Sequence, residues 1–505
     1  MQDKNAPIIV AVAQQTYRDG DTARTPADAL QQVAQLAIDD ANNEGLLGSI
    51  DTVAHIRFIS DTNPDTAALM PRNPGKRVAE RLGMNCPRVI QGAIGGNTPQ
   101  YMVNQLASEL AAGKTKVAML MGAELLGTFF GALKTGGDIS GWAGEDTEQP
   151  PTVGHDRDGA TALEMAHGLY EPIVTYPLFE MAFRHHSGGT ADEHNQRVGN
   201  IYSAMSKVAA NNPHSWRRDA LTAEQVATVD AKNRLISEPY PKAVNSVLAV
   251  DMAAAIIMTT VGEAERLGID ESQWVYMRAG ADLNEQWFVS ERVDLHRAEA
   301  IGQCVGAALK TANLSVDDMS AFDIYSCFPS AVEIACNEIG LKSDDPRGVT
   351  VTGAMPFFGG PGNNYTLHSI AQMTENLRGK PNTHGLVTGN GMYLTKHSVG
   401  IYSTAPGEGP WQATDCSAMQ QRIDDGPKAK VIENAEGAVT IVTYTVKQGR
   451  EGADRAVILA DTATGERVVA VMLASNPKLA TFTEQASIGM QGTVTTRDGI
   501  THFDY

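Results

Sequence analysis

A thiol and a phenol stand two residues apart in the segment FDIYSCF at positions 322–328. Cys327 follows a predicted strand, and α/β sheets present functional side chains at the carboxyl ends of their strands. There the thiol could move a proton or carry an acyl group, and the Tyr325 hydroxyl could donate a hydrogen bond to a carbonyl oxygen. Free cysteines are also commonly buried for packing, and a core tyrosine explains Tyr325 equally well. Both alternatives stay open on the sequence alone.

The loop PFFGGPGNNY at 356–365 is the strongest candidate for ligand binding. Its glycines allow the backbone to approach a ligand closely, and its asparagines supply amide donors. The alternative is a turn that merely links a strand to a helix. The predicted binding residues of this loop and of the helix after it are Gly359, Gly360, Asn363, Asn364 and His368.

A second glycine turn, TGNG at 388–391, lies near the predicted end of another strand. Asn390 is a candidate catalytic residue, and Gly389 and Gly391 are candidate binding residues. His397 follows in YLTKHS and is a candidate acid or base. For Asn390 and His397 the alternative is a core or surface position with no chemical role.

A third segment, VIQGAIGGNTPQ at 89–100, carries a strand through glycines into a helix without a reactive side chain at the turn. Thr98 can cap the exposed amides, and Pro99 suits the first helical position. The start of such a helix offers free N–H groups and a positive dipole end, which would activate a thiol and stabilise an oxyanion. Ala93 stands where that thiol would be useful, so the turn either binds a ligand through its backbone or serves packing alone.

Two alternating blocks of strands and helices must position these segments. Residues 8–125 form the first block, and the run 246–262 adds further strand and turn. The second block is predicted to contain a helix at 291–313, a strand at 321–325, a helix at 330–339, a glycine-rich loop at 353–363 and a strand at 385–388. Residues 126–245 between the blocks are rich in Gly, His, Asn, Pro and Trp, which predicts long loops and short helices laid over a site.

Beyond Gly407 the pattern changes to short alternating apolar runs separated by Gly, Asn and Asp, which is typical of a small antiparallel barrel. This barrel could be of the oligonucleotide-binding type. From Trp411 onward, however, nine basic residues face twelve acidic ones, which disfavours nucleic acid as a partner. The barrel is therefore expected to pack on the rest of the chain, hold a partner protein or close a binding cleft; a purely structural cap is the alternative.

The net charge of −19 over 505 residues argues against a polyanion as the main partner. No apolar run reaches the roughly 18 residues that span a bilayer, and the start MQDKNAPIIVAVAQQ lacks the longer apolar core of a signal peptide. A cytoplasmic protein is expected. No metal site is predicted, because His185 and His186 lack a third ligand at metal spacing.

The cysteines are odd in number and form no CxxC pair, which argues against a disulfide framework or a structural zinc site. They are Cys86, Cys304, Cys327, Cys336 and Cys416.

Four segments together resemble the thiolase superfamily, and within it the branch related to the sterol-carrier-protein thiolases. They are GAIGGNTPQYMVNQL at 92–106, DMAAA at 251–255, FDIYSCF at 322–328 and PFFGGPGNNY at 356–365. In the family's order they are similar to the nucleophile helix, the DGAAA strand, the HDCF segment and the GHP loop. The resemblance covers roughly residues 6–405.

The departures from the family's motifs fall on its reactive residues. The nucleophilic cysteine aligns with Ala93, the histidine of GHP with Gly360 or, without an inserted residue, Gly359, and the histidine of HDCF with Tyr325. Ser326 replaces the aspartate of HDCF, and the late CxG cysteine aligns with Gly389. The cysteine of HDCF, which some sterol-carrier-type thiolases use as acid or base, is retained as Cys327. A Claisen condensation through an acyl-enzyme needs a thiolate, which this pattern lacks.

The resemblance implies a duplicated α/β thiolase fold in five layers (αβαβα), with a loop domain over coenzyme A and an additional OB-like barrel. The implied limits are 1–125 with 246–290 for the N-terminal half, 126–245 for the loop domain, 291–406 for the C-terminal half and 407–505 for the β domain. It also implies an acyl-CoA acyltransferase of lipid metabolism, often labelled acetyl-CoA acetyltransferase, with weak or absent thiolysis and no tightly bound cofactor. The alternative is a catalytically silent protein that binds acyl-CoA or a partner chain, as a homodimer or through the C-terminal domain.

Overall fold

The computed structural model describes residues 3–85 and 88–505, so Cys86 lies outside the described residues. The strands are β1 Pro7–Tyr17, β2 Thr52–His55, β3 Arg88–Gly92, β4 Val117–Leu125, β5 Thr152–Val153, β6 Leu235–Ser237, β7 Tyr240–Pro241, β8 Asp251–Thr260, β9 Val275–Asn284, β10 Ala321–Asp323, β11 His384–Gly391, β12 Lys396–Ser403, β13 Glu436–Gln448, β14 Ala453–Thr462, β15 Arg467–Leu473, β16 Gln491–Arg497 and β17 Ile500–Asp504.

The helices connect these strands and cover them on both faces. They are α1 Pro26–Asp40, α2 Pro64–Ala67, α3 Pro74–Arg81, α4 Thr98–Ala111, α5 Leu126–Thr135, α6 Ala162–Ala166, α7 Pro172–Ser187, α8 Ala191–Asn211, α9 Ala223–Ala227, α10 Val261–Leu267, α11 Glu299–Ala312, α12 Pro329–Ile339, α13 Tyr365–Leu377, α14 Ser417–Asp424 and α15 Leu479–Gln485. None of the helices in the described ranges combines the length and apolar character that crossing a membrane requires.

A large mixed sheet organises the residues before the barrel. Its strand order is β10-β11-β12-β9-β1-β8-β4-β2-β3-β5. Only two residue pairs, Ile8 with Tyr276 and Ile9 with Val275, join β1 to β9. The sheet is therefore two halves that meet along one short seam, as the predicted duplication requires.

Helix contacts show how the layers stack. α1 and α3 cover the outer face of the first half, and α11 with α12 covers the second. α4 and α13 contact each other and reach strands of both halves, including β8 and β11. The order helix, sheet, helix, sheet, helix confirms the predicted five-layered thiolase fold.

The central strands follow from their composition. β4 and β8 are buried along almost their whole length and pair antiparallel from Val117 with Thr259 to Leu125 with Asp251. Continuous apolar runs of this kind suit strands covered on both faces. The pairing of β4 with β8 and of β2 with β3 and β4 places Asp251 and the turn after β3 at the same end of the sheet.

The C-terminal strands form the predicted barrel. β13 pairs with β14 and β16, β14 with β15, and β16 with β17, and the parallel pair Val471 with His502 closes the ring between β15 and β17. Phe482 and Phe503 fill its interior and are almost fully buried. β6 from the middle region extends this sheet through the pair Lys447 with Ser237.

The barrel packs on the rest of the chain through specific contacts with α7 and its neighbours. Thr443 donates to the carbonyl of Leu178 at 2.7 Å, and the amide of Thr501 donates to Nε2 of His167 at 2.9 Å. Glu171 forms ion pairs with Lys447 and Arg455. The barrel is thus an integral part of the fold rather than an appendage on a free linker.

Three element boundaries differ from those expected from sequence. The strand predicted at 385–388 is β11, which continues to Gly391, so the residues predicted as a glycine turn at 388–391 are strand residues paired with β12. The helix predicted at 291–313 begins at Glu299, because the buried Arg292 is bound to backbone carbonyls, with its Nε 2.9 Å from Gln286 O. The strand predicted at 321–325 ends at Asp323, because the next two amides leave the ladder: Ile324 N donates to Val349 O and Tyr325 N donates to Oγ1 of Thr388, both at 2.9 Å. The middle region also contains longer helices than expected, with 16 residues in α7 and 21 in α8.

Candidate active site

The four segments that carry the candidate site residues meet at one end of the sheet. They are 89–100, 322–328, 356–365 and 388–391. The amide of Gly95 donates to Oδ1 of Asn363 at 3.0 Å, which joins the Ala93 turn to the glycine-rich loop. Gly96 faces both other segments, since a Cβ built on it would lie 2.0 Å from the Tyr325 hydroxyl and 2.6 Å from the Asn390 carbonyl. Only glycine permits this approach. Gly389 packs in the same way against the backbone of Asn97.

Cys327 lies at the end of a short polar chain in this cluster. Nδ2 of Asn390 donates to the Tyr176 hydroxyl at 2.9 Å, and that hydroxyl donates to the carbonyl of Met392 at 2.9 Å. Burial raises the pKa of Cys327 to about 12, in spite of the nearby Tyr176 hydroxyl and Asn390 amide, which favour the thiolate. The thiol is therefore neutral at physiological pH, which suits a proton donor better than a nucleophile.

Three tyrosines surround this thiol. Burial raises the pKa of Tyr176, Tyr202 and Tyr325 well above the usual range of tyrosine, and proximity to Cys327 adds to the effect in each case. All three hydroxyls therefore remain protonated and can act as hydrogen-bond donors or acceptors. The hydroxyl of Tyr202 is buried and has no hydrogen-bond partner among the described residues.

The backbone amides of the Ala93 turn are not free, contrary to the sequence-based expectation. Each of three successive N–H groups already has an acceptor inside the protein. The acceptors are Val153 O for Ala93 N at 2.9 Å, Asp156 Oδ1 for Ile94 N at 2.9 Å and Asn363 Oδ1 for Gly95 N at 3.0 Å. The segment 152–156, whose first two residues pair with β3 as β5, thereby occupies two of the three amides, and the glycine-rich loop occupies the third, so these donors are not free for an oxyanion.

Lys396 is a charged group of this site that sequence reasoning missed. It is the first residue of β12, is 6% exposed, and directs Nζ to the carbonyl of Ile94. Burial lowers its pKa to about 8, while Asp156 acts in the opposite direction. A lysine at the start of an otherwise uncharged strand is the signal that could have identified it.

Glu124 is a buried carboxyl group that contacts the glycine-rich loop at Gly362. Its Oε1 accepts from the amide of Ile59 at 2.7 Å, and a Cβ on Gly362 would lie 2.3 Å from the same oxygen. Burial raises its pKa to about 8, which exceeds the opposing effect of hydrogen bonds from the Ile59 and Asn363 backbone. The carboxyl group is thus largely protonated at neutral pH.

The remaining predicted residues lie around the cluster rather than in it. His397 contacts the carbonyl of Leu394 at 3.1 Å, and His368 contacts Oε1 of Gln14 at 3.0 Å; burial lowers the pKa of both to about 3. Asn364 donates to the carbonyl of Gly122 at 2.9 Å.

The predicted glycines pack against neighbouring segments. A Cβ on Gly359 would lie 2.8 Å from the sulfur of Met252, and the amide of Gly360 donates to Val247 O at 2.9 Å. Gly391 packs on Oδ1 of Asn97.

Comparison with known proteins identifies relatives of the whole chain and of its C-terminal part. The family described as the thiolase-like protein type 1 additional C-terminal domain matches residues 418–499. A monomeric SCP2-thiolase-like protein type 1 from Mycobacterium smegmatis is 31% identical, with 100% of each chain covered and a TM-score of 0.85. No curated protein sequence gives a significant match.

More distant structures share the fold alone. The Ltp2–ChsH2(DUF35) aldolase is similar over 79% of this chain and 98% of its own, with 17% identity and a TM-score of 0.59. The dimeric peroxisomal thiolase of Saccharomyces cerevisiae is similar over 81% of this chain and 99% of its own, with 12% identity and a TM-score of 0.59.

The full-length match at 31% identity and a TM-score of 0.85 agrees with the five-layered fold and the barrel. The chain belongs to the SCP2-thiolase-like proteins of type 1.

Proposed function

We propose that this protein binds CoA thioesters and acts on them as a thiolase-like acyltransferase with an atypical active site. No acyl-enzyme forms at position 93, since alanine offers no nucleophile there. Cys327 acts as a general acid through its protonated thiol, and Tyr325 and Asn390 orient the thioester through hydrogen bonds. Thiolysis in the manner of ordinary thiolases is weak or absent.

The observation that carries this proposal is the contrast between the two halves of the site. The Ala93 turn has lost its nucleophile, and its amides are bound to the protein itself. The Cys327 side keeps a hydrogen-bonded group of a thiol, an amide and a hydroxyl. Proton transfer to a thioester enolate or carbonyl needs a protonated group of this kind and no covalent intermediate.

The test compares two buried thiols. Cys327→Ala removes the candidate general acid, and Cys336→Ala removes a thiol on α12 whose pKa burial also raises to about 12. Each variant is assayed for consumption of a panel of acyl-CoA and 3-oxoacyl-CoA esters. We expect Cys327→Ala to lose about 10²–10⁴-fold in kcat, the usual contribution of a positioned acid or base, and Cys336→Ala to retain activity. Unchanged turnover in Cys327→Ala would remove this role.

A second candidate function is acyl-CoA or partner binding without catalysis. The occupied amides of the Ala93 turn and the burial of Cys327 and Tyr325, each 8% exposed, favour it. Calorimetric titration with acetyl-CoA, combined with the turnover panel, separates the two functions. Saturable binding with no turnover supports the silent protein, whereas turnover that depends on Cys327 supports the enzyme.

The partners and the domain limits are part of the same proposal. The proposed partners are a second copy of the chain or a partner protein on the C-terminal domain; one distant neighbour is described as dimeric and another as an Ltp2–ChsH2(DUF35) aldolase, whereas the full-length relative is described as monomeric. The loop domain at 126–245 is proposed to cover the CoA moiety. Sedimentation of the purified chain and limited proteolysis at the limits near 125, 245, 290 and 406 test these points.

A further inference from the structure

A buried group of three ionisable side chains lies apart from Cys327, on the outer side of the second half. Glu180 belongs to α7, His194 to α8 and Glu333 to α12. They are 0%, 2% and 4% exposed, respectively. One ligand atom from each lies within 4.8 Å of the other two. Two carboxylates and an imidazole are costly to bury unless something compensates their charge and polarity.

The converging atoms have no hydrogen-bond partner outside their own group, in which the Glu180 and Glu333 carboxyl groups also face each other. Oε1 of Glu180, Nε2 of His194 and Oε2 of Glu333 are all buried and unpaired among the described residues. Nε2 and Oε1 are only 2.6 Å apart, but their alignment does not fit a hydrogen bond. Buried polar atoms are nearly always paired, so three that face one another require an explanation.

The other atom of each group is held in place by a neighbour. Tyr240 donates to Oε2 of Glu180, and Nε of Arg197 donates to Oε1 of Glu333 at 2.6 Å. Nη2 of Arg197 lies 2.7 Å from Nδ1 of His194. Partners of this kind orient metal ligands from outside the coordination sphere. The unpaired atoms are therefore aimed at a common point.

We infer that Glu180, His194 and Glu333 form a binding site for a divalent transition-metal ion. One nitrogen and two carboxylate oxygens suit Zn²⁺, Mn²⁺, Fe²⁺ or Co²⁺ better than Mg²⁺ or Ca²⁺, which prefer oxygen alone. With both carboxylates ionised, the charges of Glu180 and Glu333 are balanced by those of Arg197 and the nearby Arg184, so a bound ion is held by ligation rather than by a net negative charge. A small cavity of about 10 Å³ lies next to the group and is lined by His194 and Tyr240 but by neither glutamate; it has room for about one water.

Binding requires two small adjustments. A metal ion about 2.1 Å from each ligand atom places neighbouring ligand atoms about 3.0–3.4 Å apart, so Nε2 and Oε1 must separate by roughly half an ångström. Because Arg197 can only donate, its contact with Nδ1 places the imidazole proton on Nε2, where the metal must bind. Nη2 of Arg197 therefore has to withdraw so that the proton can move to Nδ1, which also loosens the hydrogen bond from its Nε to Glu333 and leaves the bound ion to hold that carboxylate. The Arg197 side chain is 38% exposed, which leaves it room to do so.

The alternative occupant of the site is a proton. Burial and the facing Glu180 carboxylate raise the pKa of Glu333, and a proton shared by the two carboxyl groups would offset part of the repulsion between them. A proton does not pair all three atoms, because the imidazole nitrogen remains misaligned. Metal uptake by the folded protein distinguishes the two occupants.

The experiment uses the full chain after treatment with a chelator. Co²⁺ is added and followed by its visible absorption, and Zn²⁺ is then added as a competitor. We expect one Co²⁺ per chain, displaced by Zn²⁺, and a rise in the melting temperature of the wild-type protein with either ion. A folded wild-type protein that takes up no Co²⁺ at millimolar concentration would overturn the inference and leave the shared proton.

Variants assign the bound ion to these residues. His194→Asn and Glu180→Gln keep the side-chain size, and each is expected to weaken Co²⁺ binding at least 100-fold. The control is His296→Asn, which removes one ring of a stacked imidazole pair with His186 whose centroids are 3.8 Å apart. Binding that persists in His194→Asn and is lost in His296→Asn would place the ion elsewhere and contradict the proposal. Circular dichroism confirms that each variant is folded, and the wild-type titration decides independently of the variants.

Discussion

Restoring a thiol at position 93 is the sharpest perturbation of the Ala93 turn. Ala93→Cys adds one sulfur atom to a residue that is 3% exposed, at the place where the family's nucleophile aligns. If the missing thiol were the sole defect, this variant would gain thiolysis. The occupied amides predict instead that it gains a thiol without gaining the reaction.

The expected deficit follows from the hydrogen bonds of the turn. The amides of Ala93, Ile94 and Gly95 are bound to Val153, Asp156 and Asn363 at 2.9 to 3.0 Å. Loss of one oxyanion donor costs about 10²–10³ in kcat, or about 3–4 kcal/mol. If two of these donors are required, Ala93→Cys should remain about 10⁴-fold or more below an ordinary thiolase.

The assay is acetoacetyl-CoA thiolysis, followed by loss of the enolate absorbance, with Ala160→Cys as the control. Ala160 is likewise buried and lies in the segment that follows Asp156. We expect both cysteine variants to be inactive. Adding Asp156→Ala to Ala93→Cys frees one amide and should raise the rate by about 10²-fold. Thiolysis by Ala93→Cys alone within tenfold of an ordinary thiolase would refute this reasoning.

Three further predictions concern the groups around the site. The pKa of Glu124 is raised from 4.5 to about 8 in the folded protein, so the folded wild type binds this proton more tightly than the unfolded chain does. As the pH rises from 4.5 to 8, the unfolding free energy of the wild type should therefore fall relative to that of Glu124→Gln, by up to about 1.4 kcal/mol per pH unit. A pH-independent difference between the two proteins in urea unfolding would contradict this. Gly96→Ala should destabilise the protein by about 1–3 kcal/mol, because its Cβ would meet the Tyr325 hydroxyl. The control is Gly131→Ala in α5, where a Cβ meets nothing within 4 Å, and this variant should be neutral or stabilising by up to about 1 kcal/mol. Equal melting temperatures of the two variants would be inconsistent with the tight approach at Gly96. Iodoacetamide should label the partly exposed Cys416 at least tenfold faster than the buried Cys327 between pH 7 and pH 9, as measured by peptide mass mapping, and the reverse order would indicate an activated thiolate at Cys327.

The sequence predicts the architecture well where one physical rule dominates. The apolar runs that become β4 and β8 admit only buried strands, and the helix that starts at Thr98 is marked by Pro99 and by apolar residues at helical spacing. The alternating runs after Gly407 predict the barrel for the same reason. Boundaries fail where a hydrogen bond to a distant residue overrides the local pattern, as at Ile324, whose amide donates to Val349 O and ends β10.

The site is less predictable because it depends on contacts between distant segments. The amides of the Ala93 turn are occupied by residues far along the chain. Asp156, which binds Ile94, lies 62 positions after it, and Asn363, which binds Gly95, lies 268 positions after it. Nothing local to Lys396 announces that its amine reaches Ile94. Likewise, Glu180 and Glu333 become neighbours only after α7 and α12 pack together.

The central claim is that the protein handles a CoA thioester without forming an acyl-enzyme. The most direct test mixes the purified chain with radiolabelled acetyl-CoA and acetoacetyl-CoA, measures saturable binding, and then quenches in acid to measure covalent label and intact mass. We predict saturable binding and no covalent acyl group, in the wild type and in Cys327→Ala alike. Stoichiometric acylation of the wild type on the timescale of turnover, or no binding of either ester, would contradict the account.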